Sequence, residues 1–109
     1  MSEVWIDGSP FFMVEGEKIR YSIDFLGATQ VQNSTAEVYK DGTGADYAVS
    51  VFVSGDSILE ADNVVTLKKL TAVDGDGGHY YVVVVQSDVD NNTQKRKFQI
   101  QVMDKKEGQ

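Results

Sequence analysis

The stretch "KIRYSIDF" (residues 18–25) alternates without a break. Ile19, Tyr21, Ile23 and Phe25 share one parity, and Lys18, Arg20, Ser22 and Asp24 share the other. Side chains point to opposite sides along an extended chain, so this period of two predicts a strand with one buried face. "KFQIQV" (97–102) repeats the pattern, with Phe98, Ile100 and Val102 on the apolar side. Further strands are expected over "STAEVYK" (34–40), "YAVSVFV" (47–53), "VVTLKKL" (64–70) and "YYVVVV" (80–85). The last is apolar on both parities, as a strand covered on both sides would be. Turn residues punctuate the series, notably "DGTG" after Lys40 and "DGDGG" at 74–78. No stretch shows a helical period of useful length. The chain therefore reads as an all-β, antiparallel sandwich of seven to eight short strands.

A chain of 109 residues holds one such core and no second. The division expected is an N-terminal arm over 1–10, a sandwich over 11–103 and a disordered tail over 104–109. Seventeen acidic against ten basic residues give a net charge of −7, which repels phosphate backbones and argues against nucleic-acid binding. Lys95, Arg96 and Lys97 are the one tight basic cluster, and a solvated strand edge accounts for them. With no cysteine there is no disulfide, thiolate nucleophile or Cys-based zinc site. No apolar run approaches the roughly 20 residues of a membrane span. The opening "MSEVWIDGSP" has neither the basic nor the apolar region of a secretion signal.

Catalytic chemistry finds little purchase. A Ser-His-Asp triad would have to be built on His79, the only histidine, which sits in a loop beside Tyr80 and reads better as a surface residue. Two oxygen-rich stretches, "DGDGG" (74–78) and "DVDNN" (88–92), are the candidates for calcium. The second opens like an EF-hand at Asp88, Asp90 and Asn92. It then places Thr93 where the glycine belongs and Gln99 where the bidentate glutamate belongs, so both stretches read as turns. Two glycosylation sequons, at Asn33 and Asn91, are too few to point to glycosylation in this composition. The expectation is no enzyme, no cofactor and no metal.

Several segments, in order, resemble one family. "FMVEGEKIRYSI" (12–23) resembles the A′–B region of intermediate-set immunoglobulin domains, and places Ile23 where that family carries its first cysteine. "VYKDG" (38–42) is similar to its strand C and the turn after it, with Val38 in place of the core tryptophan. "VVTLKKL" offers Val65, Leu67 and Leu70 at the spacing of its strand E. Asp76-x-Gly78-x-Tyr80-x-Val82 has the layout of its tyrosine corner, a Tyr two residues before the second cysteine position that bonds back to the E–F turn. Either Asp74 or Asp76 takes the family's acidic position. The resemblance departs at the disulfide and at the tryptophan, forgoing about 2–4 kcal/mol for the bridge. Domains of this kind without cysteine are similar to those on tailed-phage and prophage structural proteins. The resemblance thus implies a non-catalytic immunoglobulin-like structural module, with the virion or the bacterial cell surface as its setting. An accessory domain of a surface protein, holding calcium or glycan at its loop ends, is the alternative.

If Tyr80 and Val82 face the core, Tyr81, Val83 and Val85 face outward, and Tyr39 joins them from the neighbouring strand. The expected partner-binding residues are accordingly Tyr39, Tyr81, Val83 and Val85, with Trp5 of the arm as a second anchor. The partner would be a protein or a second copy of the chain.

Overall fold

The computed structural model describes residues 3–5, 10–25, 30–44 and 46–105, with side chains from residue 10 onward. Its largest sheet is organised by one hairpin. Strand β9 (Tyr80–Val89) turns at Asp90–Asn91 into β10 (Asn92–Met103), with Val89 opposite Asn92. Both turn residues have positive φ, 49° and 72°. That is the geometry of a two-residue type I′ turn, and Asp and Asn tolerate it because their short polar side chains bond locally. The "DVDNN" stretch is therefore a hairpin tip. Strand β5 (Val31–Lys40) lies antiparallel on the other side of β9, with a register shift between Gln32 and Thr35 where Asn33 also has positive φ.

Two further strands, β1 (Glu3–Trp5) and β2 (Phe11–Val14), run parallel to β10. The sheet order is β1-β10-β9-β5, with β2 also paired to β10. Part of the expected arm thus belongs to the sheet. Residues 6–9 and 106–109, including most of the expected tail, lie outside the described residues.

The opposing layer is built from shorter pieces. β4 (Ser22–Asp24), β7 (Val64–Thr66) and β6 (Leu59–Ala61) pair in the order β4-β7-β6. β3 (Lys18–Ile19) pairs β8 (Leu70–Thr71) and continues the same two paths. The Leu67 N–H donates to the Tyr21 carbonyl at 2.9 Å and bridges the gap between them. Counting β3 with β4 and β7 with β8 as interrupted single strands, the ten segments amount to eight strands, and the architecture is an all-β sandwich.

Between the layers lie Ile23, Phe25, Val38, Val65, Leu67, Leu70, Phe98 and Ile100, each with at most 4% of its surface exposed. The alternation over 18–25 and 97–102 sets these faces as expected, and the 65, 67, 70 spacing buries all three residues. An aromatic cluster of Phe11, Tyr21 and Phe98, with centroids 5.3–5.8 Å apart, closes one end of the core.

Residues 47–53 form no strand. They begin with a short helix, α1 (Ala48–Val51). Val49 is 95% exposed, so the odd positions of this stretch cannot share a buried face. The apolar residues that pack inward are Tyr47, Ala48, Val51 and Phe52, the spacing of one helical turn. Asp46 fixes the turn by accepting from the Ala48 and Val38 N–H groups at 2.9 and 3.0 Å.

Candidate functional site

The long loop between β8 and β9 is tied down by a carboxylate that almost no solvent reaches. Asp76 is 4% exposed. Its Oδ2 accepts from the Tyr81 hydroxyl at 2.6 Å and from the Tyr47 hydroxyl at 3.1 Å. Its Oδ1 takes the Lys40 ammonium at 3.0 Å, and that ammonium stands 5.5 Å from the centroid of the Tyr47 ring. The Tyr81 hydroxyl in turn accepts from the Val73 N–H at 3.1 Å. One phenol thus joins strand β9 to the backbone eight residues upstream. This is the corner hydrogen bond expected of Tyr80, made one residue later by Tyr81. Asp76, not Asp74, is the acid that belongs to it.

The charges of this cluster are locked. Burial pushes the Asp76 carboxyl up, but hydrogen bonds from Tyr81, Lys40 and Tyr47 outweigh it and hold the group below the usual aspartate range. Burial, reinforced by the bond to Asp76, drives the Tyr81 phenol far above the ordinary tyrosine range. Burial followed by the same carboxylate also raises Tyr47, while the bond to Asp76 raises Lys40. None of these four groups changes charge near neutral pH, so none is poised to exchange a proton there. The cluster is a latch.

Two neighbouring contacts support it. Glu15, in the turn after β2, accepts from the N–H groups of Gly75 and Gly77 at 2.6 and 3.0 Å, and from that of Lys105 at 3.2 Å. These backbone donors, that of Gly77 foremost, hold its carboxyl below the usual range. His79 meets Asp41 at 2.8 Å, and Asp41 also accepts from the Tyr80 N–H at 3.2 Å. Both occupy the rim of the sheet.

The corner fixes the parity of β9, and it reverses the expected interaction surface. Tyr81, Val83 and Val85 are fully buried and belong to the core. The residues that β9 turns outward are Tyr80, Val82 and Val84, all half-buried. Val83 therefore lies opposite Val38 inside the sandwich, in the place anticipated for Val82. Tyr39 stands on the outer face as expected, opposite Val82, with its hydroxyl donating to Glu37 at 2.7 Å. The Trp5 backbone pairs with Lys97, and its side chain lies outside the described residues.

The outer face can be followed row by row. Glu37, Val84 and Lys97 form one row across β5, β9 and β10. Tyr39, Val82 and Gln99 form the next, and Tyr80, Gln101 and Phe12 the one after. Phe12 is 62% exposed. The face thus carries an apolar band along β9, with an acid, Glu37, on one side of it and a base, Lys97, on the other.

The concavities elsewhere lack converging chemistry. An open cleft of about 670 Å³ lies between β5 and the segment 48–58, lined by Ala36, Val49, Phe52, Ile58 and Lys68. A polar one of about 570 Å³ lies at the hairpin tip beside Asp88, Asp90 and Gln30. Asp88 there is bonded by the Asn33 amide and the Thr93 hydroxyl, at 3.0 and 3.1 Å. Among the described residues no three His, Asp or Glu side chains gather as a metal site, and no helix is long and apolar enough to cross a membrane. No protein-family model matches the chain, and no curated protein matches it in sequence.

Proposed function

We propose that this chain is a non-catalytic, immunoglobulin-like interaction module that binds a protein partner through the outer face of its large sheet. The strand order supports that type: β2 runs parallel to β10 on one layer, and β4, β7 and β6 oppose it on the other. The corner made by Tyr81 supports it too. The observation that carries the binding surface is the band of Tyr39, Tyr80, Val82 and Val84, apolar side chains left partly open to solvent on two adjoining strands. Contiguous apolar surface of this kind marks protein contacts on soluble domains. The working residues are then Tyr39, Tyr80, Val82 and Val84, while Tyr81, Val83 and Val85 support them from beneath. The setting implied by the sequence resemblance is a phage or prophage virion, where such a module would be one part of a larger assembly.

A photoreactive phenylalanine analogue placed at Val82 or Val84, in cells making the protein, tests this directly. Adducts to a protein are expected from these positions and not from Val49, an exposed control on α1. Equal yields at all three positions, or none at Val82 and Val84, refute the surface.

A further inference from the structure

We infer that the partner of the outer face is a second copy of this chain, related by a two-fold axis lying in the interface and parallel to β9. This rests on the outer face being the working surface, and the charge pattern of that face selects the occupant. Glu37 and Lys97 occupy one row, on either side of Val84. Neighbouring strands are about 4.8 Å apart, so acid and base are offset equally from the β9 line.

A two-fold axis along β9 exchanges the two sides. It brings Glu37 over the partner's Lys97, and Lys97 over the partner's Glu37, with Val84 and Val82 stacked against their own copies between them. An axis perpendicular to the strands would instead set Glu37 over the partner's Glu37 and lysine over lysine. The row is thus self-complementary under one symmetry and self-repelling under the other. An isologous contact needs a surface that complements itself, and this row supplies one. The aligned packing of two sheets, at about 30°, moves a side chain one strand from the axis by only about 2–3 Å. Glutamate and lysine side chains reach across that displacement.

The row beside it agrees. Tyr39 would meet the partner's Gln99, giving an aromatic ring an amide to pack on. The net charge of −7 on each copy opposes association from a distance, so the contact is expected to be reversible and concentration-dependent.

Sedimentation equilibrium of the whole chain, from micromolar to millimolar concentration, reads the dimer directly. Glu37→Lys and Lys97→Glu should each weaken it about tenfold or more, since each turns two attractive contacts into repulsive ones. The double variant carrying both substitutions should dimerise again, within about threefold of the unmodified chain, because the swapped row is complementary under the same axis. Far-ultraviolet circular dichroism checks that all three variants keep the sandwich.

A monomer at every concentration overturns the inference. So does a dimer indifferent to the single swaps, or a folded double variant that stays monomeric. A monomeric chain whose Val82 analogue still cross-links to another protein overturns the second copy and keeps the outer face. A monomer without such cross-links removes both.

Discussion

Removing one oxygen from the corner tests the parity of β9 and the energetics of the latch together. In Tyr81→Phe the ring keeps its fully buried place, so packing is unchanged. Two hydrogen bonds disappear. Asp76 loses its 2.6 Å donor but retains Tyr47 and Lys40, so that loss sits near the lower end for a charged acceptor, about 1–2 kcal/mol. The Val73 N–H loses the acceptor at 3.1 Å in a part-buried site, which adds about 1–2 kcal/mol. Together the cost is about 2–4 kcal/mol, or at least ~8 °C of melting temperature for a domain of this size. Urea unfolding followed by circular dichroism measures it, and the slope should stay constant because the exposed area on unfolding does not change. Tyr80→Phe is the control. That hydroxyl takes no part in the corner, and its removal should cost less than about 0.5 kcal/mol. Equal losses in the two variants, or a larger loss at Tyr80, would refute the assignment of the corner and with it the outer face.

Gly77→Ala should destabilise the chain by about 1–3 kcal/mol through overpacking. A Cβ there would lie 2.7 Å from the Asp104 Cα and 3.0 Å from its backbone nitrogen, and backbone cannot swing aside as a side chain does. An unchanged urea midpoint would show that residue 104 moves freely. Acid should destabilise the fold progressively. Asp76, Glu15 and Asp41 are held below their ordinary values, and so is Asp56, which accepts from the Lys69 and Ser57 N–H groups and pairs with Arg20. Their stabilisation is therefore fully present above the unfolded carboxylate range near pH ~4, and is lost as pH falls through the lowered native values. The midpoint should be flat from about pH 5 to 7 and fall below about pH 4, and a midpoint unchanged down to pH 3 would contradict the network.

The strands that sequence alone located are those with polar residues to mark one face. Lys18, Arg20, Ser22 and Asp24 leave no doubt about which side of 18–25 is buried, and Gln99 and Gln101 do the same for β10. The segment 47–53 has a single polar residue, Ser50, as a marker. Its apolar residues fit both periods, and only tertiary packing, with Val51 inside and Val49 in solvent, decides for one turn of helix. The latch was visible only in part. A tyrosine corner and an acid in the "DGDGG" loop were expected, but nothing local connects Lys40 or Tyr47 to Asp76. They meet it because the turn after β5 and the start of α1 lie over the same loop.

The parity of β9 turned on two tyrosines and four valines in succession, a stretch in which every residue is at home on either face. When one parity is core and the other a half-buried outer surface, a one-residue error exchanges the two completely. One signal in the same strand and one in its hairpin partner break the tie. Beyond the valines come Gln86, Ser87, Asp88 and Val89, and the burial of Val89 puts the odd positions inside. Ser87 is buried as well, but its hydroxyl is 2.7 Å from that of Ser34, so the small polar side chain is satisfied where a glutamine or aspartate would not fit. The hairpin then transmits the choice. Val83 opposes Phe98 and Tyr81 opposes Ile100, residues whose inward direction is plain from the "KFQIQV" alternation. Directly opposed residues in an antiparallel pair share a face, so the well-marked strand fixes the unmarked one once the turn at Asp90–Asn91 sets the register. Four valines without polar neighbours thus acquire an inside and an outside from the strand they are hydrogen-bonded to.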